Sequence, residues 1–394
     1  MYNDIPKELD VVLLTHPRDE EDVVRLLPWA NKISLEEKAE LLGCMRPVFG
    51  EVIRTNNLNV GILFIPSLAE KIINPVTRSK VRLLIESEVV RMLIVSQTKI
   101  VCLGGLTASL LGYGRHLKKA LKDYPIQITT GHALTSISIY KTYKKVIDEL
   151  GVDMQNEGIS LLGVGSVGTA FARLLINKEK KLNYLLLIDK PSKETELINL
   201  KKELELITNI PVLLETTNND GTIKEDSIIY ESKVLISAVS SKDVIQIADI
   251  PANRILIDDS QPYCWNREEA WGRVIEKNDI VPCEAGLIDC STIGYLSDFP
   301  FDFANHDENG TTTSWCCMAE GLLKHLDNSL PSILGIPSSE QINVYYNAFE
   351  RFNLSAATLQ CKGNILPIGK LKENFTEEKK EIHFTNLGLS KNIC

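Results

Sequence analysis

The chain has 394 residues, of which 44% are hydrophobic and 24% are charged, a composition typical of a soluble globular protein with enough chain for two domains. Its formal net charge of −9 argues against nucleic-acid binding, which needs a strongly basic face to displace counterions from phosphates. The sequence has no secretory leader and no long uncharged apolar window, so we expect a cytoplasmic protein without a membrane span.

Cysteine and histidine spacing gives no sign of a metal site. The nine cysteines include no Cys-x-x-Cys pair, and the six histidines do not fall at metal-ligand spacings from cysteines or carboxylates. We therefore expect reduced thiols and no bound metal.

The first 150 residues mix helical patterns with short apolar runs, such as Val60–Ile65 and Lys99–Leu103. This mixture predicts a separate α/β domain over residues 1–150. A helix is predicted at its end, over His132–Leu150, because the apolar residues there form one stripe. Gly151 follows at the position where a glycine commonly ends a helix.

Residues 151–300 alternate short apolar strands with amphipathic helices, which predicts a Rossmann doubly wound parallel sheet and places the chain in the α/β class. The predicted strands are Ile159–Leu162, Tyr184–Ile188, Pro211–Glu215, Val234–Ala238, Ile255–Asp258 and Asp279–Cys283. The predicted helices between them are Val167–Ile176 and Leu197–Ile207. Residues 301–394 are predicted to add C-terminal helices, one beginning near Thr312, and a poorly packed tail from Glu373.

A glycine-rich segment follows the first predicted Rossmann strand and opens the next helix. In that context, glycines at the first, third and sixth positions predict a dinucleotide site. They allow a tight turn, close approach of a pyrophosphate, and packing of the helix on the strand, while the helix N-terminus attracts the anion. The motif consists of Gly163, Val164, Gly165, Ser166, Val167 and Gly168.

The choice between NADH and NADPH stays open from the sequence. Asp189 ends the second strand, where a carboxylate bonds the ribose hydroxyls and repels a 2′-phosphate. Lys190 and Lys193 follow at once, and their ammonium groups can pair with that phosphate, although solvated loop lysines are the simpler explanation. Topology also places four residues beside the nicotinamide: Ala238, Val239, Ser240 and Gly286.

Two adjacent cysteines, Cys316 and Cys317, fall near the start of the predicted C-terminal helix, where the helix dipole stabilises a thiolate. Spacing of 100° per residue turns Cys316 toward the apolar face and Cys317 away from it, toward a cleft or solvent. An inert packing cysteine is the commoner case.

Several segments together resemble the cyanobacterial long-chain acyl-acyl carrier protein reductases and their relatives. The resemblance spans roughly Gly61 to Leu366, and its most informative part is Cys317-Met318-Ala319-Glu320, because the family's acyl-accepting cysteine stands in a Cys-x-Ala-Glu sequence. The other matching segments are Leu103-Gly104-Gly105-Leu106-Thr107, Thr129-Thr130-Gly131-His132, the glycine motif, Ile257-Asp258-Asp259 with Pro262, and Ala285-Gly286-Leu287.

The resemblance implies that Cys317 attacks an acyl thioester and that a nicotinamide cofactor then reduces the acyl-enzyme to an aldehyde. Thr130 and His132 are the implied donors to the oxyanion, whereas Thr129 is better explained as a helix N-cap. The family has asparagine where this chain has His132 and histidine where it has Leu134, so a donor has moved or been lost.

The implied substrate is carried by an acyl carrier protein or by coenzyme A, and the aldehyde is released or passed to a partner enzyme. A basic cluster suits either carrier, although a solvated helix face explains it as well: Arg115, His116, Lys118, Lys119 and Lys122. Two other hypotheses remain open, namely a shikimate- or amino-acid-type dehydrogenase without covalent catalysis, and a non-catalytic, cofactor-bound module that binds a carrier protein.

Overall fold

Two sheets organise the described part of the chain, which is residues 5–54 and 58–376 of a computed structural model. Most of the tail predicted from Glu373, with Cys394, lies outside these residues. The first sheet has the strand order β2-β3-β1-β4-β5, and only β2 runs antiparallel to its neighbour. Its strands are β1 (Val11–Thr15), β2 (Val48–Arg54), β3 (Asn59–Phe64), β4 (Ile100–Leu103) and β5 (Gln127–Thr129).

Seven helices accompany this sheet, and an amphipathic helix pair with a π turn at Ile85–Val89 covers one side. The helices are α1 (Glu20–Leu26), α2 (Leu35–Cys44), α3 (Ala69–Ile73), α4 (Pro75–Leu84), α5 (Val90–Val95), α6 (Thr107–Leu110) and α7 (Arg115–Ala120). The central strand β1 is almost fully buried because helices cover both of its faces.

The linking helix α8 spans His132–Leu150, the bounds predicted from its apolar stripe. Gly151 ends it with a φ of 72°, a left-handed conformation that glycine adopts without strain. Most of its residues are buried because α8 packs against α9 of the second sheet and against the C-terminal helices.

The second sheet contains six parallel strands in the order β11-β10-β9-β6-β7-β8. Its strands are β6 (Gly158–Leu162), β7 (Tyr184–Asp189), β8 (Val212–Thr216), β9 (Val234–Ser237), β10 (Arg254–Asp258) and β11 (Ile280–Glu284). The helices are α9 (Ser166–Lys178), α10 (Glu194–Glu205) and α11 (Arg267–Glu276). The order reverses between β6 and β9, as in a Rossmann sheet, so the predicted α/β fold class is confirmed.

The C-terminal segment packs against both sheets. Its elements are β12 (Leu287–Asp289), β13 (Thr313–Trp315), α12 (Cys316–Leu326), α13 (Ser339–Arg351), β14 (Ser355–Ala356), β15 (Gln360–Cys361), β16 (Asn364–Ile365) and α14 (Ile368–Thr376). The prediction that a helix begins near Thr312 is wrong, because residues 313–315 pair as a strand with β12. Helix α12 packs on β1 and β4, and a Cβ added at Gly321 would lie 2.0 Å from Cys102 Sγ.

A buried ionic cluster ties the three parts of the chain together. The Arg18 guanidinium donates to Asp22 Oδ2 at 2.6 Å and to Asp302 Oδ1 at 3.0 Å, while Arg267 donates to Asp302 Oδ2 at 2.7 Å. These charges are desolvated, so removing one partner would leave an uncompensated charge inside the protein. No helix among the described residues has both the length and the apolarity needed to cross a bilayer.

Candidate active site

The carboxyl ends of strands from both sheets face one cleft of about 210 Å³. Ligands of open parallel sheets bind at this edge, near the point where the strand order reverses. Ten of the residues proposed from the sequence line this cleft: Thr130, His132, Gly165, Ser166, Val167, Ala238, Val239, Ser240, Gly286 and Cys317.

A larger cavity of about 760 Å³ lies between α1 and the segment around Arg267. Oppositely charged side chains line it in similar numbers, and it contains none of the residues proposed from the sequence. We therefore place the candidate site in the smaller cleft, where the chemically informative residues meet.

Two of the three motif glycines occupy positions where a side chain would clash with the backbone, and the third borders open space. A Cβ at Gly163, which has a φ of +97°, would lie 2.6 Å from the Ala238 carbonyl oxygen. One at Gly168 would lie 1.9 Å from the Gly163 carbonyl oxygen, whereas Gly165 is exposed with open space around it. With the unpaired N–H groups that begin α9, this loop fits the pyrophosphate of a dinucleotide.

Asp189, at the end of β7, is held against the glycine loop. Its carboxylate accepts the Val164 N–H at 2.8 Å and the Lys190 N–H at 2.7 Å, which leaves lone pairs on both oxygens. The Lys190 ammonium donates to Ser241 Oγ at 2.9 Å, and the Lys193 ammonium pairs with Glu196 at 2.8 Å. Asp189 therefore keeps acceptor capacity at the end of β7, while both lysines already have partners.

The floor of the cleft lies between β9, β10 and β11. The Val239 N–H donates to Ser260 Oγ at 3.0 Å, which holds the loop after β9. Gly286 has a φ of +76°, and a Cβ there would lie 2.3 Å from Asp259 Oδ1. Only glycine allows the backbone this close to the carboxyl group of Asp259, a cleft residue that the sequence did not single out for a role.

Cys317 is the second residue of α12 and is half-buried in the cleft. Burial raises the pKa of its thiol to about 12, and although the Met318 N–H lowers it, Asp259 and Glu320 raise it further. The resting thiol is therefore protonated at neutral pH, despite its place at a helix N-terminus.

Cys316 also lines the cleft but is buried, and its thiol donates to Thr135 Oγ1 at 3.0 Å. Burial raises the pKa of this thiol well above its ordinary value. Of the two adjacent cysteines, Cys317 is the more accessible to a substrate.

Glu320, one turn beyond Cys317, joins α12 to the start of α8. Its carboxylate accepts the Gly131 N–H at 3.0 Å and the Leu134 N–H at 2.9 Å, together with the Thr129 hydroxyl. Burial raises the pKa of Glu320 to about 7, although these donors lower it. The expectation that Thr129 caps the helix is wrong, because Gly131 is the N-cap residue and the Thr129 hydroxyl serves Glu320.

Two polar atoms in the cleft are buried without a hydrogen-bond partner among the described residues: Thr130 Oγ1 and Gln261 Oε1. Buried polar atoms are nearly always paired, so an unpaired hydroxyl or carboxamide in a cleft marks a place for a ligand. The Thr130 N–H already donates to the Ile333 carbonyl at 3.0 Å, which leaves the side chain as its free donor.

His132 lies beside the glycine loop, with its Nδ1 2.7 Å from Ser166 Oγ. Burial lowers the pKa of His132 to about 4, so the ring is neutral at physiological pH. This contact joins the start of α8, next to Thr130, to the start of α9 in the glycine loop.

Gly131 allows the start of α8 to lie close to Cys317. It has a φ of +78°, and a Cβ there would lie 2.4 Å from Cys317 Cα. The roles of Asp259, Gln261 and Glu320 were missed by sequence reasoning, because only contacts between distant segments define them. The unpaired atoms and the crowded glycines are visible only in three dimensions.

Comparison with known proteins does not identify a family, since no family model matches the chain. A 279-residue stretch is 23% identical to the aminotransferase PigE of Serratia sp. (strain ATCC 39006), covering 70% of this chain and 27% of that protein. The chain thus spans about a quarter of the length of that relative. The resemblance to acyl-acyl carrier protein reductases stays a prediction.

Similar solved structures include L-tryptophan dehydrogenase from Nostoc punctiforme, with a TM-score of 0.33, 12% identity and 70% of each chain covered. Shikimate 5-dehydrogenase from Listeria monocytogenes gives a TM-score of 0.31 and 11% identity, covering 66% of this chain and 81% of the other. Quinate dehydrogenase from Corynebacterium glutamicum gives a TM-score of 0.29 and 8% identity, covering 64% and 80%. At such TM-scores these likenesses carry no weight for activity.

Proposed function

We propose that this protein is an NADH- or NADPH-dependent oxidoreductase that reduces an acyl thioester to an aldehyde through an acyl group on Cys317. The observation that carries the proposal is the position of this thiol. It is half-buried at the start of α12, in the same cleft as the glycine loop and Gly286. A nucleophile and a dinucleotide loop in one cleft suit covalent catalysis followed by hydride transfer.

In the first step, the Cys317 sulfur attacks the thioester carbonyl carbon, and the bond from that carbon to the carrier's sulfur breaks. The thiol proton leaves with the carrier as a free thiol, so atoms and charge balance. When bound, the nicotinamide supplies a hydride to the acyl carbon. With one proton from solvent, the Cys317 thiol is restored and an aldehyde is released.

Each tetrahedral oxyanion needs a donor, and the Thr130 hydroxyl is suited to this role because it is buried, unpaired and in the cleft. The backbone donors of the neighbouring loop do not serve here, since Gly131 and Leu134 donate to Glu320. His132 then contributes through Ser166, by holding the donor loop against the cofactor loop.

The proton of the Cys317 thiol needs an acceptor, because burial raises the thiol pKa to about 12. Asp259 lines the cleft, and burial, with help from Asp258, raises the pKa of its carboxyl group well above the ordinary value. A carboxylate whose pKa is raised is a stronger base than an ordinary aspartate, and is therefore a better acceptor for the thiol proton. We assign the transfer of the thiol proton to Asp259.

The cofactor proposal rests on the glycine loop and on Asp189. The space at Gly165 admits a pyrophosphate, and the Asp189 oxygens keep lone pairs for ribose hydroxyls. Since Lys190 and Lys193 already bond Ser241 and Glu196, the arrangement favours NADH over NADPH.

The proposed carrier is an acyl carrier protein or coenzyme A, and the basic cluster on and after α7 supports either. Its members are exposed and begin two residues after Tyr113, which lines the cleft. The cluster consists of Arg115, His116, Lys118, Lys119 and Lys122. Acidic or phosphorylated carriers would be attracted to this surface. The aldehyde is the carbonyl product that a downstream enzyme would consume.

Intact-mass spectrometry tests the proposal. Wild type, Cys317→Ala and Cys316→Ala are mixed with acyl-coenzyme A thioesters and then with NADH or NADPH, and aldehyde is trapped with a hydrazine. We expect an acyl adduct on wild type and Cys316→Ala that disappears with reduced cofactor, and none on Cys317→Ala. Cofactor binding without any adduct would refute the covalent mechanism.

A non-covalent dehydrogenase is the second candidate, and the pKa of about 12 for the Cys317 thiol favours it, because a protonated thiol is a poor nucleophile. In that case Cys317→Ser retains full activity on a hydroxy or amino acid. A cofactor-bound module without turnover would bind NADH but reduce neither class of substrate.

A further inference from the structure

A second, smaller cavity lies on the far side of Cys317 from the glycine loop. Its volume is about 40 Å³, and it meets the cleft at Gly105, Gln261, Trp315 and Cys317. From there it extends to the carboxyl ends of β1 and β3 in the first sheet. Cys317 therefore lies where the cleft and this smaller cavity meet. The cleft contains the glycine loop, and the smaller cavity is free to hold a group attached to the sulfur.

The wall nearest the sulfur is apolar and close. A Cβ added at Gly104 would lie 3.4 Å from Cys317 Sγ and 2.9 Å from Leu13 Cδ1. Phe64 and Phe301 line the same cavity and are buried. Aliphatic carbons attached to the sulfur would therefore replace water against these side chains, which is favourable.

Two polar side chains that line the cavity, Arg18 and His16, are already paired. The Arg18 guanidinium bonds Asp22 and Asp302 and lies 4.7 Å above the Trp315 ring. The His16 Nδ1 is 2.8 Å from the Pro17 carbonyl oxygen, and its Nε2 accepts the Leu106 N–H at 3.0 Å. Moving Arg18 would break buried ion pairs, so the cavity does not enlarge easily at this wall.

We propose that this cavity is the acyl site and that it restricts the substrate to short aliphatic thioesters, of about two to four carbons. A water molecule needs roughly 10–15 Å³ of such space. The 40 Å³ present therefore takes about three non-hydrogen atoms beyond the carbonyl carbon. The inference rests on the proposed thioester reduction and adds to it the class of acyl group.

A chain-length series tests this assignment: acetyl-, butyryl-, octanoyl- and dodecanoyl-coenzyme A are compared by adduct formation on Cys317 and by kcat/KM. We expect the kcat/KM for butyryl-coenzyme A to exceed that for octanoyl-coenzyme A by at least about tenfold, since a few methylenes that do not fit a small apolar pocket cost that much selectivity. Equal or better use of octanoyl or dodecanoyl would overturn the assignment while leaving the thioester mechanism intact. If no thioester forms an adduct, the proposed function itself fails.

Variants that change the cavity in opposite directions make the test independent of folding defects. Phe301→Ala enlarges the cavity and should raise the ratio of kcat/KM for octanoyl-coenzyme A to that for butyryl-coenzyme A by about tenfold. Phe303→Ala is the matched control, because Phe303 belongs to the same aromatic cluster but does not line the cavity. Gly104→Ala partly fills the cavity and should lower the kcat/KM for butyryl-coenzyme A more than that for acetyl-coenzyme A. If Phe301→Ala melts with wild type yet keeps the wild-type preference, the assignment is wrong.

Discussion

Replacing Glu320 with glutamine should change the pH dependence of stability in a defined direction. The carboxyl group is fully buried, and burial raises its pKa from 4.5 to about 7 despite three donors. The folded protein therefore holds a proton between these pH values that the unfolded chain has released. This contribution to stability is present in full below pH 4.5 and is lost as the pH rises through 7.

The magnitude follows from the two pKa values. Between pH 5 and pH 8 the contribution of Glu320 falls by about 2.5 kcal/mol, since each pKa unit is worth about 1.4 kcal/mol. The carboxamide of the variant is never charged, so the variant lacks this dependence. The penalty of Glu320→Gln should be largest at pH 5, where a neutral acid meets its donors, and should shrink by about 2–3 kcal/mol at pH 8.

Urea denaturation of both proteins at pH 5, 6, 7 and 8 measures this difference. Other buried acids, such as Asp258 with a pKa raised to about 6 by burial, titrate equally in both and cancel. If the difference between the free energies of unfolding of the two proteins stays constant across the series, Glu320 does not titrate between pH 5 and pH 8. The reasoning about the junction of α8 and α12 would then fail.

Three further changes test other parts of the site, and a fourth serves as a control. Thr130→Val should lower kcat by about 10²-fold with little change in the Kd for NADH, and an unchanged kcat would remove Thr130 from the oxyanion site. Gly168→Ala should destabilise by about 2–3 kcal/mol and abolish cofactor binding, because its Cβ would lie 1.9 Å from a carbonyl oxygen. Gly272→Ala, with nothing within 4 Å, is the control and should stabilise α11 by about 0.5–1 kcal/mol in the same melting assay. Asp189→Asn should improve the ratio of NADPH to NADH affinity by about tenfold in fluorescence titrations, and an unaltered ratio would mean that the carboxylate does not meet the 2′ position.

The sequence predicted those helices and strands whose bounds depend on residues close together in the chain. The bounds of α8 follow from one apolar stripe and a terminal glycine, both within 20 residues of sequence. The six Rossmann strands follow from short apolar runs, because strands covered on both faces must be continuously hydrophobic. The start of α12 was misplaced because residues 313–315 take their strand conformation from pairing with Leu287–Asp289.

The arrangement of the site is set by contacts between segments that are far apart in sequence. Glu320 accepts hydrogen bonds from residues 186 to 191 positions earlier in the chain, a distance that no periodicity reports. The same holds for the thiol of Cys317. Its place near a helix N-terminus predicts a lowered pKa, whereas burial raises that pKa to about 12. Burial outweighs the helix dipole because desolvation acts on the whole thiolate charge.

The close contact of Gly131 with Cys317 also bears on how the protein comes to be active. The glycine loop is complete by residue 168, but Cys317 lies on α12, which packs against β1 and β4, strands made much earlier. During synthesis the six strands of the Rossmann sheet, which end at Glu284, are made before Cys317. The candidate site is therefore complete only after α12 has been made and has packed on the first sheet, so a partly synthesised chain has the glycine loop but not the thiol.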